Sequence, residues 1–107
     1  MSVESTWSGS GVADLLGWKL ISEEPGVVHA EFDAKEAFRN PKGPIMGGIL
    51  AAMPDMIISA AVRSSLAENQ SPRATLEMKV NFICAAKPGT LRAEGKLVHA
   101  GKSVAFA

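Results

Sequence analysis

A long apolar stretch, Gly43-Pro-Ile-Met-Gly-Gly-Ile-Leu-Ala-Ala-Met-Pro-Asp-Met-Ile-Ile-Ser-Ala-Ala-Val62, dominates this 107-residue chain. Its apolar residues recur at the spacing of a helical face, which predicts a helix from about residue 47 to about residue 66. Asp55 is the only ionisable residue in the stretch. Because an unpaired charge is costly to bury, a carboxylate in such a helix indicates chemistry rather than packing.

Alternating apolar residues predict strands on both sides of this helix. In residues 27–33, the side chains of Val28, Ala30 and Phe32 share one face, as in a strand with one buried face. Residues 74–85 alternate in the same way, and residues 90–99 and 102–107 predict two further strands. This order predicts an α+β fold, in a single domain over residues 1–107, in which one long helix lies against an antiparallel sheet.

The charge pattern argues against several classes of partner. Eleven basic and eleven acidic residues are scattered along the chain, so no basic patch indicates binding to nucleic acid. The stretch 43–62 is long enough to span a membrane, but its two prolines, three glycines and Asp55 disfavour insertion. We therefore expect neither a nucleic-acid nor a membrane partner.

The histidine and cysteine content points to no metal site and no disulfide. His29 and His99 fall in different predicted strands without further ligands at metal-like spacing. The single cysteine, Cys84, continues the apolar face of residues 74–85, so we expect it to be buried. A chain with one cysteine and no secretion signal at its start is typical of the cytoplasm.

Four sequence motifs together resemble one enzyme family. They are Leu16-Gly-Trp-Lys, Pro25-Gly-Val-Val, Thr75-Leu-Glu-Met-Lys-Val-Asn-Phe82, and Asn40-Pro-x-Gly-x-x-Met-Gly-Gly followed after six residues by Asp55. The combination resembles the hot-dog-fold acyl-CoA thioesterases of the phenylacetate-degradation subfamily, from about residue 15 to residue 107. The resemblance implies a long central helix wrapped by an antiparallel sheet. It also implies a C-terminal strand that is missing here, so the chain is expected to be short of one strand or incomplete.

The resemblance also implies a set of catalytic residues. Asp55 matches the acid that acts as general base on water or as nucleophile on the thioester. Gly47 matches the residue whose backbone N–H, at a helix N-terminus, stabilises the oxyanion. Asn40 matches a residue that holds the water or the substrate, and Thr75 one that helps to position the water.

Two neighbouring residues complete the implied site. Gly48 would let the backbone approach the substrate closely. Met46 stands where the family has a histidine and would contact the substrate without a ring that can form hydrogen bonds. The implied substrates are small or medium acyl-CoA thioesters, with aryl groups as one option, and the implied reaction uses no metal and no redox cofactor.

The implied assembly is a homodimer or homotetramer with active sites at the subunit interface, so Asp55 is expected to face a neighbouring subunit. Other interpretations remain open at this stage. Asp55 could lie at a subunit contact without chemistry, Asn40 could only form a turn before Pro41, and Thr75 could be an ordinary strand residue. The chain could then be a non-catalytic acyl-CoA-binding or regulatory module, or a hydratase or dehydratase on the same fold.

Overall fold

The computed structural model describes residues 10–66, 74–101 and 104–107. Within these residues, two helices, a 3-10 turn and five strands follow one another. They are α1 (Gly11–Leu16), β1 (Lys19–Glu24), β2 (Val27–Ala34), the 3-10 turn Glu36–Phe38, α2 (Gly47–Ser64), β3 (Gly89–Lys96), β4 (His99–Ala100) and β5 (Ala105–Phe106). The predicted α+β fold with one long helix and antiparallel strands is confirmed.

Strand β2 is the centre of a three-stranded antiparallel sheet in the order β1-β2-β3. Strand β3 pairs with β2 along its whole length, whereas β1 pairs with residues 27–31 only. The short strands β4 and β5 pair separately. Val28, Ala30 and Phe32 are buried, as their alternation predicts. The opposite face is polar, with Glu31 3.4 Å from Arg92 and His29 3.1 Å from Glu94.

Helix α2 packs across the sheet and supplies the other half of the core. Its buried residues are Met53, Met56, Ile57, Ala60 and Ala61. The helix and β3 approach so closely at Gly95 that a Cβ there would lie 2.5 Å from the carbonyl oxygen of Ile57. Glycine at this position therefore sets the distance between helix and sheet.

The helix runs without interruption through Pro54, although proline cannot donate to the carbonyl of Leu50. It ends at Ser64, close to the predicted end. In the part of the chain that the structure describes, no helix is long and apolar enough to cross a membrane.

Residues 74–85, which we call the 74–85 segment, do not form the predicted strand. Among the described residues no strand lies beside the segment, so its alternating side chains have no ladder that would order them. Leu76, Phe82 and Ile83 are exposed. The prediction that Cys84 is buried is also wrong, because this thiol is exposed. The predicted strand 90–99 divides into β3 and β4.

Candidate active site

Asp55 lies on the third turn of α2, and the 74–85 segment supplies its hydrogen-bond donor. The hydroxyl Oγ1 of Thr75 donates to Oδ1 of Asp55 over 2.7 Å. Asp55 is half-buried rather than enclosed, because this face of the helix is partly open in the single chain. The structure thus brings together two of the predicted site residues, and Thr75 contacts the carboxylate itself.

The N-terminus of α2 offers two backbone donors. The N–H groups of Ile49 and Leu50 both donate to the carbonyl of Met46, and the Met46 side chain does not cap the helix. Within the described residues, the N–H groups of Gly47 and Gly48 have no acceptor. Such donors, together with the partial positive charge of a helix N-terminus, suit an oxygen that carries or develops negative charge.

The two glycines are not explained by the chain's own backbone conformation. Neither has a positive φ. A Cβ on Gly48 would meet only the terminal methyl of Met46, 3.1 Å away, and that flexible group can move. Since glycine in a helix is less stable than alanine by roughly 1 kcal/mol, the pair fits a site where something outside the chain approaches the backbone.

Met46 is the N-cap residue of α2, and 49% of its surface is exposed. Its side chain folds back over Gly48, so the first turn of the helix has an apolar cover on one side. This places Met46 beside the N–H groups of Gly47 and Gly48, which have no acceptor within the described residues.

Asn40 has a role in the loop that precedes α2. Its side-chain oxygen accepts from the backbone N–H groups of Lys42 and Gly43, over 2.8 and 3.1 Å. Its own N–H donates to the carbonyl of Pro44. The structure therefore supports the turn interpretation of Asn40, and no hydrogen bond within the described residues joins it to Asp55 or Gly47.

Sequence reasoning gave Phe82 no role, yet its ring lies at the start of α2. Three ring atoms lie 3.4, 3.7 and 3.8 Å from the position that a Cβ on Gly47 would occupy. In the sequence, Phe82 is the last residue of a motif that resembles the family and one member of an apolar alternation, and neither reveals what the ring contacts.

A cavity of about 400 Å³ opens along α2 beyond Asp55. Its helix wall consists of Ile58, Ser59 and Val62, which follow Asp55 on the same side at helical spacing. Residues 74–77 and 79 form a second wall, which includes Thr75, and Val104, Ala105 and Ala107 form a third. The cavity therefore adjoins the Asp55–Thr75 pair and is mainly apolar.

The described residues include no group of three or more histidine, cysteine, aspartate or glutamate side chains that could hold a metal ion. Within the same residues, no charged side chain is buried. The chemistry that this arrangement offers comes from one carboxylate, one hydroxyl and two backbone donors.

Comparisons with known proteins identify the family and the fold. The family model described as the thioesterase superfamily matches residues 42–107, more than half of the chain. A phenylacetic acid degradation-related protein from Ralstonia eutropha superposes with a TM-score of 0.87 at 28% identity, over 98% of this chain and 83% of that chain. A search of curated protein sequences returns no significant match.

Two further solved structures are similar. Zebrafish thioesterase superfamily member 2 gives a TM-score of 0.79 at 26% identity, over 96% of this chain and 75% of that chain. The smu.793 protein of Streptococcus mutans, solved with acetyl-CoA bound, gives 0.71 at 26% identity, over 79% and 66%. The chain therefore belongs to the thioesterase superfamily, as a hot-dog-fold thioester hydrolase similar to the phenylacetic acid degradation-related type.

Proposed function

We propose that this enzyme hydrolyses small or medium acyl-CoA thioesters to the free acid and CoA, aryl groups included. Asp55 activates the attacking water or attacks the thioester carbon itself, and the Gly47 N–H binds the developing oxyanion. The observation that carries the proposal is the Thr75–Asp55 hydrogen bond on the same helix whose first N–H groups have no acceptor within the described residues.

The proposed reaction follows from these contacts. Thr75 engages Oδ1 of Asp55, and Oδ2 has no partner among the described residues, so Oδ2 is available to a water molecule. In the general-base route, the carboxylate takes a proton from water, and the hydroxide adds to the thioester carbon. The carbonyl oxygen becomes negative and accepts from the Gly47 N–H. The C–S bond then breaks, and the proton passes to the CoA sulfur.

Acyl-CoA is the proposed substrate class for two reasons. A similar protein from Streptococcus mutans was solved with acetyl-CoA bound, which supports a CoA thioester here. The cavity beside Asp55 is near the lower end of the size range of ligand pockets, so it suits an acyl group rather than a whole CoA molecule.

The reaction needs no metal or redox cofactor, because the carboxylate itself activates water. We also propose that the enzyme is cytoplasmic. The cytoplasm is a reducing compartment, in which a free thiol such as Cys84 persists and which is compatible with CoA thioesters.

The spacing along α2 supports a site that two subunits share. Gly47 and Asp55 are eight positions apart on α2, which corresponds to about 12 Å along the helix axis. Both groups must come within about 3 Å of one reacting thioester, so those of a single chain are too far apart. A homodimer, alone or within a homotetramer, in which two α2 helices lie antiparallel would bring Asp55 of one subunit to Gly47 of the other.

The first experiment measures release of the CoA thiol from acetyl-, butyryl-, octanoyl- and benzoyl-CoA. We expect Asp55→Asn to lower kcat by a factor on the order of 10² to 10⁴, because the variant cannot accept a proton. Asp14→Asn, at an exposed position on α1, is the matched control and should retain full activity. Unchanged turnover in Asp55→Asn would remove the base from the proposal, whereas tight acyl-CoA binding without hydrolysis in the unaltered enzyme would favour a non-catalytic binding module.

A second experiment tests the shared site. Asp55→Asn and Gly47→Val subunits should each be inactive alone. Unfolded together and refolded, they form mixed dimers in which one of the two sites keeps both required groups. Partial recovery of activity in the mixture supports the shared site, and a mixture as inactive as its components, despite confirmed mixed dimers, contradicts it.

A further inference from the structure

Phe82 occupies an unusual position for a large aromatic residue. Its ring lies against Gly47 at the N-terminus of α2, and yet 59% of its surface is exposed. One side of the ring therefore covers the helix, and another side is open. If the ring contacted only the helix, it would provide only part of the stabilisation that full burial of an aromatic ring can give.

The 74–85 segment carries both Phe82 and Thr75. Thr75 contacts Asp55 in the middle of α2, and Phe82 contacts Gly47 at its start. The carbonyl of Ala86, just beyond the segment, accepts from the N–H of Ile45. The segment therefore runs back along the helix and places one side chain at Asp55 and one at Gly47, the two groups that this chain contributes to the two shared sites of the proposed dimer.

We propose that Phe82 is a further specificity-determining residue, whose ring forms the wall against which the acyl group packs beside the carbonyl bound by Gly47. This inference rests on the proposed function. Met46 covers the neighbouring Gly48, so each of the two glycines that carry the N–H donors has an apolar side chain beside it. An apolar surrounding lowers the local dielectric constant and strengthens hydrogen bonds to a negative oxygen.

The ring should distinguish between acyl groups. An aryl group next to the carbonyl can stack on Phe82 or meet it edge to face, and such pairs are stabilised beyond the gain from the area that they bury. An acetyl group is too small to gain much from the same surface. Phe82 should thus favour benzoyl-CoA relative to acetyl-CoA.

The test compares kcat/KM for benzoyl-CoA and acetyl-CoA in Phe82→Ala, Phe82→Leu and the unaltered enzyme. We expect Phe82→Ala to lower the benzoyl/acetyl ratio about tenfold, since both stacking and contact area are lost. Phe82→Leu keeps an apolar cover on Gly47, so it guards against a loss of folding and should lower the ratio less. Ile83→Ala is the matched control, because Ile83 is adjacent and 93% exposed.

An unchanged ratio in both Phe82 variants would overturn the inference, as would an equal fall in Ile83→Ala. If the unaltered enzyme hydrolyses neither thioester, the proposed function fails by itself. The inference is then decided by calorimetric binding of S-benzyl-CoA and S-ethyl-CoA, two thioethers that cannot be hydrolysed. A selective loss of S-benzyl-CoA affinity in Phe82→Ala supports the wall, and equal affinities in the variant and the unaltered enzyme contradict it.

Discussion

Strand β2 and the 74–85 segment have the same kind of sequence and different structures. Both alternate apolar and polar residues, and both are predicted to be strands. In β2 the apolar side chains are buried and strands pair on both sides, whereas the 74–85 segment has no ladder within the described residues and exposes Leu76 and Ile83. Alternation shows that a face is apolar, but the pairing depends on what lies alongside.

The largest contrast that we expect is in backbone hydrogen exchange. Amides of β2 are paired at the centre of the sheet and should exchange only when the whole domain unfolds, which costs about 5–15 kcal/mol. Amides of the 74–85 segment should exchange at least 10³-fold faster in a single chain, since they have no backbone partner among the residues that the structure describes. Exchange measured by mass spectrometry at two protein concentrations checks this. Slow exchange in the segment that appears only at high concentration would show that a second chain pairs with it.

Truncating one aromatic and one aliphatic side chain sharpens the same contrast. Phe32→Ala removes a ring that is 1% exposed and should lower the free energy of unfolding by about 3–5 kcal/mol. Ile83→Ala truncates a side chain that is 93% exposed, so it should change the free energy of unfolding by less than about 0.5 kcal/mol. Denaturant unfolding of both variants is the measurement. A loss near 2 kcal/mol in Ile83→Ala would mean that another subunit covers Ile83 in solution.

The sequence predicts those parts of the fold whose residue pattern does not depend on contacts with residues far away in the chain. The helix pattern predicts α2 to within two residues at its C-terminal end, and the alternation of Val28, Ala30 and Phe32 predicts the buried face of β2. The same reasoning misplaced Cys84, because its burial required a sheet neighbour that the described residues do not supply. The close approach at Gly95 was not predicted either, since it depends on two elements that are far apart in sequence.

The candidate site shows a similar division. Asp55 is predicted as a site residue because it is a single acid in an apolar helix. Thr75 is linked to it in the sequence only through the family resemblance. The structure joins the two by a hydrogen bond. Asn40 matched the same motif, but the structure gives its oxygen to the loop. Phe82 was missed because an apolar strand pattern assigns all its members the same role. Contacts between elements, rather than residue type, separate these cases.

Gly95 offers a test of how closely β2, β3 and α2 are packed. A Cβ at this position would lie 2.5 Å from the carbonyl oxygen of Ile57, so Gly95→Ala must separate helix and sheet. We expect a loss of about 1–3 kcal/mol in the free energy of unfolding. Gly11→Ala is the matched control, because nothing lies within 4 Å of its Cβ position. Equal unfolding midpoints for the two variants would contradict the close packing described for the sheet side of α2.

Thr75 tests whether the 74–85 segment has an ordered role despite its lack of backbone pairing. Thr75→Val keeps the shape of the side chain and removes the hydroxyl that donates to Asp55, so it frees the carboxylate to turn away from a bound water. We expect kcat to fall about tenfold with little change in KM, because a hydrogen bond to a charged group contributes about 1.5–3 kcal/mol, of which only part concerns orientation. Thr75→Ser should restore most of the activity, and Thr90→Val, at an exposed position on β3, should leave it unchanged. If Thr75→Val and Thr75→Ser are equally active, the hydroxyl does not position Asp55, and the segment contributes to the site only through the apolar side chains that it exposes.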